Sequence, residues 1–251
     1  MKKVIILNKK EGETPLESLE SFRLKNKEYK NIKMTYAGRL DPMASGVLLV
    51  LAGDEVKNKE KYLALDKEYE FKILFGFATD TYDVLGKVKK VARSCGTTDE
   101  LEKKIKENLK FFICKYIQTY PRYSSKTVLG KALFRYAREN IKVDLPEREV
   151  SVKKLELLKL KKVNNKILLQ NIEKRIKKIK GDFRQKEILK VWRKKLASQD
   201  LASLYVASLK VKCSSGTYVR SIANSLGERI GIPALAFSIK RTKVGKWTLF
   251  R

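Results

Sequence analysis

One acid in this sequence stands where an acid can do chemistry. Asp41 lies in the stretch Tyr36-Ala37-Gly38-Arg39-Leu40-Asp41-Pro42-Met43-Ala44-Ser45-Gly46-Val47-Leu48-Leu49-Val50. The stretch begins polar, is bounded by glycine and runs straight into an apolar segment. Pro42 disfavours helical backbone at the residue before it, so Asp41 is expected on an extended loop. Taken alone, it is either a corner residue of an Asp-Pro turn closed by Gly46 or a reactive group held at the head of a buried strand. The chain has no histidine. That removes histidine general bases, Ser-His-Asp and Cys-His nucleophiles and most zinc catalysis, and leaves Asp, Glu, Tyr, Lys, Arg, Cys or Ser to act.

Two further residues are candidates. Arg220 stands just inside a predicted helix, after a strand and the turn Ser214-Ser215-Gly216-Thr217. It is either a surface arginine for phosphate or a partner for a buried carboxylate, where the planar guanidinium fixes geometry and favours the charged acid. Tyr69 falls on the apolar face of a predicted strand, as a core residue or as a stacking surface for a nucleobase. Spacing along the chain cannot bring the three together.

Composition narrows the partner. Of the 251 residues, 43% are apolar, enough for a substantial core. Lys and Arg number 57 against 28 Asp and Glu, a formal charge of +29. So large an excess points to a polyanion, bound through phosphate neutralisation and counterion release. No apolar run reaches the roughly 18 residues that span a bilayer, so nucleic acid is preferred to a membrane. Met1 to Asn8 reads as a first strand rather than a signal peptide. Three widely spaced cysteines, Cys95, Cys114 and Cys213, fit a reducing cytoplasm and no structural zinc.

The elements that must position these residues follow from periodicity. Lys3–Leu7 is a predicted strand. Thr14-Pro15 starts a helix with Leu16, Leu19 and Phe22 on one face, and Val47–Leu51 is a buried strand. Asp54 is expected to cap a helix from Glu55 to about Leu65. Tyr69, Phe71, Ile73 and Phe75 share one face of a strand. Asp80–Gly86 reads as a polar loop. Thr97 and Glu100 form a capping box before a helix carrying Leu101, Ile105 and Leu109. Strand is expected from Phe111 to Ile117, helix from Lys131 to Asn140, and strand with imperfect alternation from Val150 to Leu160. From about Lys166 to Ser198 two apolar stripes flank Gly181-Asp182: Leu168, Ile172, Ile176 and Ile179, then Ile188, Val191, Trp192 and Leu196. This predicts a helical hairpin with twelve basic and three acidic residues. Tyr205–Cys213 is a strand, Tyr218 to about Ile230 a helix and Pro233–Ile239 a last strand, before a basic tail ending at Arg251. Strands and helices are not regularly interleaved, so the fold class is α+β with a mixed, largely antiparallel sheet.

Gly38-Arg39-Leu40-Asp41-Pro42-Met43-Ala44-Ser45-Gly46-Val47-Leu48 resembles the G-x-L-D-P-x-A-[ST]-G-x-L signature of TruB-type pseudouridine synthases. Further blocks occur in the family's order: Asp66-Lys67-Glu68-Tyr69, Gly76 to Asp83, Pro121 to Lys126 with Gly130-Lys131 and Tyr136-Ala137-Arg138, and Cys213 to Ser221 with Leu226-Gly227. The resemblance spans residues 3–160 and 203–247. It implies a pseudouridine synthase fold flanked by helices, and isomerisation of uridine to pseudouridine, typically uridine 55 in the T-arm of transfer RNA, without metal or organic cofactor. By the same resemblance Asp41 matches the catalytic aspartate, Tyr69 the tyrosine that stacks on the target base, and Arg220 the arginine paired with the acid. Attack on the sugar, attack on the base and glycal formation all remain open for the aspartate. Lys9 matches a structural or RNA-contacting lysine, Ile239 an apolar pocket wall, and Tyr123 and Lys126 a segment that contacts RNA.

Three departures stand out. Tyr36 replaces a family histidine expected to help hold the RNA; it stacks and hydrogen-bonds but gains no charge near neutrality. Lys10 replaces a proline. The chain stops soon after Trp247, where bacterial members commonly continue into a PUA domain. Residues 1–251 are therefore expected as a single cytoplasmic, monomeric catalytic domain with a helical insertion at about 163–200 and no PUA domain. The insertion's charge is expected to supply RNA-binding surface. A non-catalytic RNA-binding or transfer-RNA-folding protein on the same scaffold, and a membrane-surface protein, are the competing functions. Retention of Asp41, Tyr69 and Arg220 together favours the enzyme.

Overall fold

The computed structural model describes residues 2–198 and 203–249. The last two positions of the expected insertion, 199 and 200, and the end of the basic tail at Arg251 lie outside them. Strand β1 (Val4–Lys9) leads into helix α1 (Pro15–Lys25), which starts with a capping box: Glu17 N–H donates to Thr14 Oγ1, and Thr14 N–H donates to the Glu17 carboxylate. Leu19 is buried as expected. Leu16 instead borders two open cavities and is exposed. The polar start of the motif forms a short strand, β2 (Met34–Ala37), paired with β3 (Ala44–Ala52).

The helix expected from Glu55 is a 3-10 segment, Gly53–Asn58, followed by a short α2 (Lys59–Leu63). Asp54 lies inside the 3-10 turn rather than before it, so it cannot cap and pairs with Lys57. β4 (Lys67–Phe75) comes next, then a small hairpin, β5 (Phe77–Thr79) with β6 (Val88–Val91). α3 (Thr98–Leu109) has the predicted cap and buries Leu101, Ile105 and Leu109. It runs out through a 3-10 turn over Lys110–Phe112, because Phe112 folds back into the core. The strand expected from Phe111 therefore begins only at β7 (Lys115–Thr119). β8 (Thr127–Val128) and β9 (Lys131–Ala132) form a two-rung ladder that delays the predicted helix, so α4 covers Leu133–Arg138.

β10 (Glu147–Val163) carries two register shifts against its neighbour, which explains its imperfect alternation. The predicted hairpin follows as α5 (Asn165–Ile176) and α6 (Gln185–Leu196). β11 (Leu204–Cys213), α7 (Val219–Ile230), β12 (Ala234–Val244) and β13 (Trp247–Thr248) complete the described chain. Nine strands form one sheet in the order β1-β3-β12-β4-β11-β10-β7, with β2 beside β3 and β13 beside β12. The β3–β12 pair is parallel and the other pairs in this sheet are antiparallel. The sheet is mixed and largely antiparallel, with helices on both faces.

Alternation along β4 divides the core. Phe71, Ile73 and Phe75 face α3 and α7, whereas Leu74 faces the hairpin with Phe77, Val84 and Leu235. The hairpin is therefore not a detached basic arm. Its stripes are buried except for the half-buried Val191, and the Trp192 ring packs 5.1 Å from Phe77 while its Nε1–H donates to the Val84 carbonyl at 3.1 Å. Ten of its twelve basic residues are exposed, but Arg175 is buried and Arg184 is half-buried. Deleting the hairpin would uncover the core around Leu74, Phe77, Val84 and Leu235, so deletion cannot isolate an RNA-binding role. Trp192→Ala is expected to cost about 3–5 kcal/mol. Urea unfolding checks this, and a midpoint equal to the wild type would show the hairpin to be an appendage.

Candidate active site

The loop that carries Asp41 is fixed at both ends. Gly38 and Gly46 adopt φ of +88° and +104°, where a side chain is strained. At Gly46 a Cβ would lie 2.1 Å from the Arg241 carbonyl oxygen, so this close approach of β3 to β12 requires glycine. Ala44 N–H donates to the Asp41 carbonyl at 2.9 Å, and Gly12 N–H donates to the Pro42 carbonyl at 2.9 Å. Asp41 is thus a turn residue, as the Asp-Pro reading has it, and its carboxylate is turned toward a partner.

That partner is Arg220, at the start of α7. Its guanidinium is buried and its three nitrogens serve three loops. Nε donates to Asp41 Oδ2 at 2.8 Å, Nη1 to the Thr81 carbonyl at 2.9 Å, and Nη2 to the Tyr123 carbonyl at 2.9 Å. The fork is spread over three acceptors rather than closed on one carboxylate. The Arg220 side chain is 2% exposed and that of Asp41 is 38% exposed, so the acid is reachable and the base is not.

Asp41, Arg220, Tyr69 and Ile239 line one cavity of about 240 Å³. Tyr69 comes from β4 and Ile239 from β12, adjacent strands in which Ile239 is opposite Phe71. Burial pushes the Tyr69 phenol up to about 12, against the Arg241 guanidinium beside it. Asp41 and Arg220 also line a second cavity of about 410 Å³, walled by Tyr36, Tyr123, Phe134 and Phe183. Tyr36 is half-buried on β2 and borders a third cavity, of about 620 Å³, with Lys126 at its rim. Lys126 is exposed, its ammonium 5.6 Å from the Tyr120 ring.

Of the two roles expected for Lys9, structural or RNA-contacting, its placement fits the structural one. It is fully enclosed, and its ammonium donates to the carbonyls of Ala44 at 2.6 Å and Lys10 at 3.1 Å. Burial lowers its pKa to about 8. It supports the Asp41 loop from behind, where RNA cannot reach it.

Two residues escaped the sequence reading. Arg241 is buried and clamps both ends of the Asp41 loop: Nε donates to the Val47 carbonyl at 2.7 Å, Nη2 to Gly38 at 3.0 Å and Nη1 to Arg39 at 3.3 Å. A basic residue in a presumed tail gave no hint of burial. Asp83 is buried in the loop after β5, where Oδ1 accepts from Thr81 Oγ1 at 2.7 Å and Leu85 N–H at 2.9 Å. Burial raises its pKa to about 6 against the opposing pull of Arg220. Among the described residues no group of three or more His, Cys, Asp or Glu side chains comes together as a metal site would need.

Residues 25–181 match the family described as TruB family pseudouridylate synthase, N-terminal domain. The chain belongs to the TruB family. Among TruB relatives, the tRNA pseudouridine synthase B of Fusobacterium nucleatum is 29% identical over 99% of this chain and 70% of its own length. That of Lactobacillus acidophilus is 32% identical over 95% of this chain and 67% of its own length. The fold is shared with the crystal structure of a Cbf5-Nop10-Gar1 complex, at 21% identity and a TM-score of 0.55, covering 98% of this chain and 50% of that one.

The raised pKa of Asp83 sets a pH window. Between about 4, its unfolded value, and about 6 the folded TruB chain holds the Asp83 proton more tightly than the unfolded chain. Asp83 therefore favours the folded state below that window and loses the advantage as pH rises through 6. Asp83→Asn lacks this loss. The stability of the wild type minus that of the variant is expected to decline from pH 4 to pH 6 in urea titrations, and a flat difference would refute the assignment.

Proposed function

We propose that this chain isomerises uridine to pseudouridine in transfer RNA, at uridine 55 of the T-arm, with Asp41 as the acting acid, Arg220 as its partner and Tyr69 as the stacking wall. The observation that carries the reading is the ion pair of a reachable Asp41 with an enclosed Arg220, bordering a cavity that Tyr69 also lines. The net reaction breaks the N1–C1′ bond, turns the base, forms a C5–C1′ bond, loses a proton from C5 and places one on N1. Atoms balance without water or electrons. A carboxylate that touches the nucleotide and a wall that holds the freed base are what such a step asks of the protein.

The base must leave its stack to reach Asp41. Tyr69, with its pKa near 12, remains a neutral phenol at physiological pH, so it offers an uncharged face to the base and any proton it passes comes from the phenol. Ile239 closes the same cavity with an apolar surface. Arg39, Arg148 and Lys126 stand around the openings, and ten exposed Lys and Arg on the hairpin extend the basic surface. Such a surface neutralises RNA phosphates, which makes affinity fall with salt. A transfer-RNA substrate supports a cytoplasmic location, and one copy of the chain holds the proposed site.

Incubation with unmodified transfer RNA, followed by carbodiimide treatment and reverse transcription, is expected to give a stop at uridine 55 with the wild type and none with Asp41→Asn. No stop with any transfer RNA, or equal stops with the variant, would contradict the assignment. Reversing two exposed hairpin charges, Lys190→Glu with Lys194→Glu, is expected to weaken binding and to reduce the slope of log affinity against log salt by about one per lost phosphate contact. An unchanged slope in a filter-binding titration would remove the hairpin from the RNA surface.

A further inference from the structure

The two basic side chains of the hairpin that turn inward end on either side of the catalytic loop. Arg175, on α5, forms a two-pronged pair with Glu11: Nε to Oε1 at 2.9 Å and Nη2 to Oε2 at 2.7 Å. Its guanidinium lies 4.8 Å from the Phe237 ring centre. The next residue, Gly12, donates its N–H to the Pro42 carbonyl, and a Cβ there would lie 2.9 Å from Lys178 Cβ on the hairpin. The hairpin therefore presses the 10–12 loop against the residue that follows Asp41.

Arg184 works from the other side. It stands in the turn before α6 with φ +62°, an uncommon backbone for a non-glycine residue, which surrounding contacts must hold. Asp182 Oδ1 accepts its N–H at 3.1 Å, and Gln185 holds the turn through the Gly181 and Ile179 carbonyls. Its guanidinium pairs with Asp80 at 2.8 Å and lies 4.4 Å from the Tyr123 ring centre. Asp80 is itself fixed by Lys87 N–H at 2.8 Å. Tyr123 carries the carbonyl that accepts Arg220 Nη2. Charge alone would be satisfied at the surface, where the other ten stay; these two instead lead to the Asp41–Arg220 pair, Arg184 through Tyr123 and Arg175 through Glu11, Gly12 and Pro42.

We infer that the inserted hairpin is a brace for the catalytic pair, and that Arg175 and Arg184 are positioning residues acting through Glu11–Gly12–Pro42 and through Tyr123–Arg220. The inference rests on the proposed pseudouridine synthase reaction. Loss of either brace lets the acid or its partner drift while leaving the exposed basic surface intact. Displacements near 1 Å at a reacting group cost about 100-fold in rate.

Single-turnover kinetics of the full chain with saturating transfer RNA, together with binding and urea unfolding, test this. Arg184→Ala and Glu11→Gln are expected to lower the rate constant about 10- to 100-fold with RNA affinity and salt slope within threefold of wild type. Arg184→Lys keeps the charge but not the planar stack, so it should recover only part of the rate. Arg175→Ala leaves a partly buried carboxylate and can unfold the chain; Glu11→Gln, of the same shape, then reports on that side. Reduced affinity and a flatter salt slope at an unchanged rate constant would make Arg184 an RNA contact and overturn the brace. Rates equal to wild type in both variants would overturn it too, with the reaction itself standing. A wild-type chain that forms no pseudouridine would instead fail the reaction assignment.

Discussion

The hydrogen-bonded ion pair between Arg220 and Asp41 is the interaction on which the rest of the site depends. A buried guanidinium is costly unless its nitrogens find acceptors. Here the loops at residues 41, 81 and 123 each supply one acceptor. The requirement runs both ways: Arg220 needs the three loops to be where they are, and the loops are joined to one another through it. Of the ion pair, the acid is the more exposed member, at 38% against 2% for Arg220.

Around that pair the fold supplies fixed backbone rather than further reactive groups. The parallel contact of β3 with β12 seats Gly46 against the Arg241 carbonyl, and the Arg241 guanidinium gathers the carbonyls of Gly38, Arg39 and Val47. Lys9 holds Ala44 from below. These cations are spent on backbone oxygens inside the protein. The excess proposed to meet RNA is a separate population on the surface, and the +29 charge therefore mixes internal struts with exposed cations.

Much of this was legible in the sequence because local chemistry decided it. The N-cap at Thr14, the capping box at Thr97, the alternation of β4 and the two stripes of the hairpin appear where residue type and periodicity put them. Asp41, Arg220 and Tyr69 were each legible as candidates, and their grouping through resemblance alone, since no spacing rule joins residues so far apart in the chain. What was not legible is burial of charge. Lys9, Arg241, Arg175 and Arg184 look like any other basic residue in so basic a chain, and only tertiary contacts distinguish an internal strut from a surface cation. The hairpin was found and its charge counted, yet its role in the core followed from which face Leu74 and Phe77 present.

The most direct measurement is the single-turnover rate of Arg220→Lys on unmodified transfer RNA, with folding confirmed by urea unfolding. Lysine keeps the charge but cannot serve three diverging acceptors. The account predicts a rate lower by about 100-fold or more, with RNA affinity within threefold, the loss seen when one fixed donor at a reacting centre is removed. A rate within threefold of wild type would contradict it, because Asp41 would then act without the geometry that Arg220 imposes.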